Sequence, residues 1–190
     1  MIASRAEINA AIRGALKLWR GDPAGMEFFD RGLDGFWRSF FAAVLAVPAH
    51  VALLLLSSSR AELAEHLPRL LVVEAIAYVI SWTAYPLVMA FMVDWLDRRD
   101  RYFDYMVPYN WAGLVQILVF LAVAALRALG VLPEPIGAVA ALVALVAILH
   151  FQWYIARIGL GISGGAAAGL VLMDLSLGVL VNEVALGIRS

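Results

Sequence analysis

Five apolar stretches separated by short polar connections organise this chain. They run over 35–56, 68–95, 108–129, 136–158 and 164–185. Each matches or exceeds the roughly 20 residues that a helix needs to cross about 30 Å of hydrocarbon. Apolar runs of this length predict helices, because strands are short and a lone strand in lipid leaves its backbone unsatisfied. The connections 57–67, 96–107, 130–135 and 159–163 are too brief for a separate soluble domain. The pattern predicts an all-α membrane protein: a five-transmembrane-helix bundle over 35–190, preceded by a cytoplasmic amphipathic segment over 1–34.

The leading segment follows a different rhythm. On a helical wheel over 5–20, Ile8, Ala11, Ile12, Ala15, Leu16 and Trp19 share one face, opposite Asn9, Arg13, Lys17 and Arg20. An apolar face with tryptophan against a basic face is the pattern of a helix lying in the membrane interface, so Trp19, Arg13, Lys17 and Arg20 are its candidate interfacial residues. The alternative is a helix packed on the protein's own inner side. Asp22-Pro23 reads as an N-cap followed by proline at the first helical position, opening a short helix over 23–31. Charged residues interrupt the first 30 positions, which therefore lack the apolar core of a signal peptide.

Aromatic and basic residues then suggest a level and an orientation. Tyr102, Phe103, Tyr105, Tyr109 and Trp111 cluster at the mouth of the third span like an interfacial belt. Alternating spans put ten basic residues on the side of the N-terminus and four (Arg60, Arg69, Arg127 and Arg189) on the other. That bias predicts a cytoplasmic N-terminus and a periplasmic C-terminus. Between spans two and three, alternating Asp94–Asp104 reads as a salt-bridged helical extension into water.

Composition agrees with the pattern. The chain is 64% hydrophobic and 15% charged over 190 residues, against about 45–50% and about 25% for soluble domains. A net charge of −1 gives no grip on nucleic acid. Absence of cysteine excludes disulfides and thiolate metal sites. Thirteen arginines to one lysine is a bias of GC-rich genomes and points to a bacterial cytoplasmic membrane.

Polar residues inside the spans are the candidate chemistry. His50 of the first span and Glu74 of the second fall at a matching depth, about 10 Å from the outer face. Asp174 lies near the middle of the fifth span, and Gln116 and His150 share a level in the inner half. An ionisable group in hydrocarbon costs roughly 2.5–3.5 kcal/mol or more unless it is paired or hydrated. His50, Glu74, Asp174, Gln116 and His150 therefore form a candidate intramembrane polar site, either handling protons or cations or holding the helices together. The carboxylates and histidines lack metal-ligand spacing, so no metal or other cofactor is expected. Gly161, Gly165 and Gly169 recur every four residues and predict a close helix-packing face within the chain or between copies. Pro48 and Pro86 predict kinks that free the carbonyls of Val44 and Trp82.

The ending FQWYIARIGLGISGGAAAGLVLMD (151–174), with Trp153, Gly159, Leu160, Ser163 and Ala166 to Ala168, resembles the bacterial Yip1-domain group. The short eukaryotic signatures of that family are absent. The resemblance implies five spans, a membrane-embedded partner or organising role and no catalytic residues. No nucleophile-and-base pattern appears either. The leading expectation is a non-catalytic accessory or organising subunit of a membrane assembly, in contact with the bilayer and with a membrane-protein partner or further copies of itself. The alternative is a small proton- or ion-coupled carrier or channel using Glu74, His50 and Asp174.

Overall fold

The computed structural model describes residues 2–58 and 67–189. Among them every regular element is helical: α1 (Arg5–Trp19), a 3-10 turn (Pro23–Phe28), α2 (Leu33–Ser39), α3 (Phe41–Ser57), α4 (Leu67–Trp95), a second 3-10 turn (Arg99–Arg101), α5 (Tyr102–Ala128), α6 (Glu134–Leu160) and α7 (Gly164–Arg189). Five helical stretches are long and apolar enough to cross a membrane: Leu33–Ser57, Leu67–Trp95, Arg99–Ala128, Glu134–Leu160 and Gly164–Ile188. Arg60, counted above on the side with fewer basic residues, lies outside the described residues.

Helix α5 is the hub. It packs closely on α6 and α3, while α7 bridges α4 and α6, and α4 touches α5 only lightly. The tightest core lies at the end of the bundle nearest α1. There Met89 and Val93 of α4 meet Met106, Val107 and Ala112 of α5, Ile155 and Leu160 of α6, and Ala167 of α7, all at most 1% exposed. Small side chains at Ala112, Ala156 and Ala167 let the backbones approach. Gly159 goes furthest, since a Cβ there would sit 3.0 Å from Tyr105 Cα and 3.1 Å from the Asp104 carbonyl oxygen. That carbonyl belongs to the turn in which Pro108 removes an amide donor. Helix α6 stops at Gly161, whose left-handed φ of 63° turns its N–H back to the Arg157 carbonyl.

Several expectations are refined or corrected. Helix α1 spends much of its apolar face on the protein: Ala11, Ala15 and Leu18 are at most 2% exposed, and Trp19 meets Phe151 edge-on at 5.1 Å. Gly14 and Gly25 allow this docking, because a Cβ on Gly25 would lie 2.6 Å from the Gly14 carbonyl oxygen. The short helix after Asp22 is a 3-10 turn ending at Phe28, capped by Asp22 Oδ1, which accepts from Ala24 N–H at 3.0 Å. The first span breaks at Phe40, where Ser39 Oγ donates to the Phe36 carbonyl at 2.6 Å.

Helix α5 starts six residues before Pro108, and two members of the aromatic belt turn inward: Tyr105 and Trp111 are 1% and 2% exposed, while Tyr102, Phe103 and Tyr109 are half-buried. The charged connection is no helical extension. Helix α4 ends at Trp95, Asp97 takes a left-handed φ of 54°, and the chain reverses. At the prolines, hydroxyl donors appear, though not on the carbonyls expected. Tyr78 donates to Ala43 at 2.6 Å and Tyr102 to Pro86 at 2.9 Å.

Candidate functional site

Because α4 stands off α5, a half-open cavity of about 310 Å³ lies between them, bordered by α3 and α7. Four helices send polar groups to it: His50 from α3, Glu74 and Tyr78 from α4, Tyr109 and Gln116 from α5, and Asn182 from α7. His50 Nε2 approaches Glu74 Oε2 at 3.4 Å. The distance suits an ion pair once the imidazole is protonated, but the two groups are not aligned for a hydrogen bond. The His50 ring also lies against Tyr78, with centroids 4.6 Å apart.

Behind the chamber wall sits Asp174. Tyr109 donates its hydroxyl to both carboxylate oxygens at 2.9 Å, and Gln152 Nε2 donates to Oδ2 at 2.9 Å. Gln152 also reaches Gln116 Oε1 at 3.4 Å, while Gln116 Nε2 is buried without a hydrogen-bond partner. The donors on Asp174 are neutral, so the carboxylate is solvated by dipoles instead of by an arginine or lysine. A second tyrosine pair extends the network: Tyr85 and Tyr105 share a hydroxyl contact of 2.7 Å, and the Tyr85 ring lies 4.8 Å from that of Tyr109.

The sequence candidates divide cleanly. His50, Glu74 and Gln116 line one chamber, and Asp174 joins it through Tyr109 and through Gln152. His150 does not. It is exposed on another side of α6, stacked on Trp153 at 5.4 Å beside a groove bordered by Trp19 and Tyr154. Sharing a level along a helix does not imply sharing a face. Among the described residues no three His, Asp or Glu side chains gather in a way that would hold a metal ion.

Sequence reasoning passed over Tyr109 and Gln152 as ligands of Asp174. Tyrosine at a helix mouth reads as an interfacial anchor, and glutamine among aromatics carries little signal. Asn110, next to the half-buried Tyr109, is 1% exposed and donates to Ser39 Oγ at 2.8 Å, pinning the break between α2 and α3. The segment Tyr109-Asn110-Trp111 thus supplies two polar links and one buried indole.

The glycine series is also redistributed. Gly161 is the cap of α6, and Gly165 and Gly169 have no atom within 4 Å of a built Cβ. Helix α7 packs within the chain through Ala167, Leu170 and Val171 instead. Of the basic residues on α1, Lys17 donates to Asp22 at 2.6 Å, whereas Arg13 and Arg20 are exposed. Other charges at this end are also spent internally. Arg38 pairs with Glu7 at 2.9 Å and with Asp30, and Arg31 pairs with Asp104 at 3.2 Å.

Comparison with protein-family models, curated proteins and solved structures finds no match to this chain.

Proposed function

We propose that this chain is a multi-pass membrane protein that takes up a proton or small cation in the polar chamber of its bundle. One observation carries the reading: side chains of α3, α4, α5 and α7 converge on a single cavity that holds a histidine–glutamate contact. A partly buried aspartate lies one hydrogen bond behind its wall. Ionisable groups at this depth cost roughly 2.5–3.5 kcal/mol or more in a bilayer, and interhelical polar contacts return only about 0.6 kcal/mol each on average. Structural glue alone is a poor return on three such groups, whereas a conduction or binding site needs them.

Orientation follows from the basic residues. Ten gather at the end of the bundle that carries α1, which supports a cytoplasmic N-terminus in a bacterial inner membrane. The test is flux in proteoliposomes. Unmodified protein should carry protons or small cations, and Glu74→Gln or Asp174→Asn should suppress the movement by about tenfold or more, equivalent to 1.4 kcal/mol or above. Absence of flux from unmodified, folded protein removes the reading.

A second reading, the accessory or organising subunit implied by the Yip1-like resemblance, is favoured by a different feature. Gly165 and Gly169 leave a small-residue face of α7 open. Such faces let a further helix approach closely. Purification in mild detergent followed by native mass measurement tests it: a protein running alone at native expression excludes that role.

A further inference from the structure

The chamber is walled by more than polar groups. Tyr78 and Trp82 of α4 face it from one side, and Tyr109 and Phe120 of α5 from the other. The Tyr78 and Trp82 rings are 6.1 Å apart and tilted by 54°, so they form a corner and not a stack. Trp82 reaches across to α5, where Gly113 makes room: a Cβ at Gly113 would lie 3.0 Å from the far edge of the indole. Glu74 is the acid among the described residues lining the space, with His50 3.4 Å from it.

Resting on the chamber reading above, we propose that the ligand is a small organic cation, an alkylated or primary ammonium, held among these aromatic side chains with Glu74 as its counter-charge. An aromatic ring carries a negative face that attracts a cation within about 6 Å of its centre, and several such rings around one carboxylate recognise an ammonium that a hydrated metal ion fits poorly. The hydrogen bond from Tyr109 to Asp174 strengthens the same wall, because a phenol donating to a carboxylate gains electron density in its ring. A cavity of about 310 Å³ sits at the lower end of the roughly 300–1,000 Å³ of small-ligand pockets, a size for few heavy atoms. Gln116 lines the space, and its Nε2, buried without a hydrogen-bond partner, would turn to a hydroxyl or other acceptor on the ligand, while His50 stays against Glu74 at 3.4 Å.

Trp82 makes the test direct. The full chain in detergent is titrated with choline chloride, with the uncharged isostere 3,3-dimethyl-1-butanol and with sodium chloride, and tryptophan emission is followed. Choline should shift the emission saturably, Trp82→Phe should remove that signal, and Glu74→Gln and Phe120→Leu should each weaken binding by about tenfold, or 1.4 kcal/mol. The isostere and sodium chloride should leave the emission unchanged. Equal responses to choline and isostere would mean simple apolar partitioning and overturn the proposal, as would equal responses to the two salts, or no saturable response to choline from folded protein. Phe120→Leu removes a ring but no charge, so it remains informative if Glu74→Gln does not fold. Proton flux that persists without any choline response would overturn the ammonium ligand while leaving the chamber reading in place.

Discussion

The hydroxyl of Tyr109 lies 2.9 Å from each carboxylate oxygen of Asp174, one helix reaching another across the middle of the bundle. Removing the hydroxyl leaves a partly buried acid with fewer donors, which costs about 1–3 kcal/mol. Tyr109→Phe should therefore lower thermal stability in detergent by that amount while keeping the ring in place. Asp174→Asn should cost something comparable, and the double variant should be non-additive by about 0.5–3 kcal/mol. Single-variant losses that add to within about 0.3–0.5 kcal/mol would show that the two side chains do not depend on each other.

This pair also marks how far the sequence could be read. The five long helices were legible because an apolar run of that length has few alternatives. The level shared by His50 and Glu74 was legible because helical rise converts residue counts into depth, and the two meet at 3.4 Å. Rotation about each helix axis was not legible. With apolar residues on all sides, nothing in α6 says that Gln152 faces Asp174 while His150, two residues earlier, faces away. The periodicity of α1 showed that one face would leave water but not what would cover it, and the packing of Ala15 and Leu18 against the bundle supplied that answer.

The contrast among glycines gives a second prediction. Gly159 touches α5 backbone, whereas Gly165 and Gly169 face open space. Gly159→Ala forces a methyl against Tyr105 and the Asp104 carbonyl, where overpacking costs about 1–3 kcal/mol. Gly165→Ala and Gly169→Ala should leave thermal stability of the isolated chain unchanged or slightly raised, since alanine is the better helix former. If these two substitutions instead dissolve a larger complex in mild detergent, the open face is occupied in the assembled state. Destabilisation of the isolated chain by Gly165→Ala would contradict the packing described here.

Docking of α1 can be broken selectively. Leu18 is 1% exposed, and burying an acid in its place leaves an unpaired charge in an apolar site. Leu18→Asp should release the helix and open its backbone to trypsin at Lys17 and Arg20, while the rest of the chain resists. The Lys17 contact adds a pH dependence. Its hydrogen bond, helped by the Ala24 amide, holds the Asp22 carboxyl below the usual aspartate range. A lowered folded-state value contributes stability above the usual range and loses it as pH falls through the lowered value. Protection from a protease active in acid should accordingly weaken with falling pH in the unmodified chain and change less in Lys17→Met, where the stabilising partner is already gone. Equal slopes in both would sink the assignment.

The proposed orientation rests on where unlike ends of the bundle lie, and the absence of native cysteine makes it directly measurable. Ile2 is 81% exposed beside α1, and Arg98 is half-exposed in the reversal after α4, both at the basic end. Val131 is 61% exposed in the turn between α5 and α6, at the opposite end. Single variants Ile2→Cys, Arg98→Cys and Val131→Cys, exposed in sealed spheroplasts to a thiol reagent that cannot cross lipid, should give labelling at position 131 alone. Permeabilisation should then add the other two. An inverted pattern would reverse the sidedness while keeping three crossings before position 131. Labelling of positions 2 and 131 from the same face would remove an odd number of crossings between them. The shared depth of His50 and Glu74 would then lose its physical basis, because the chamber requires α3 and α4 to run in opposite directions through the same bilayer.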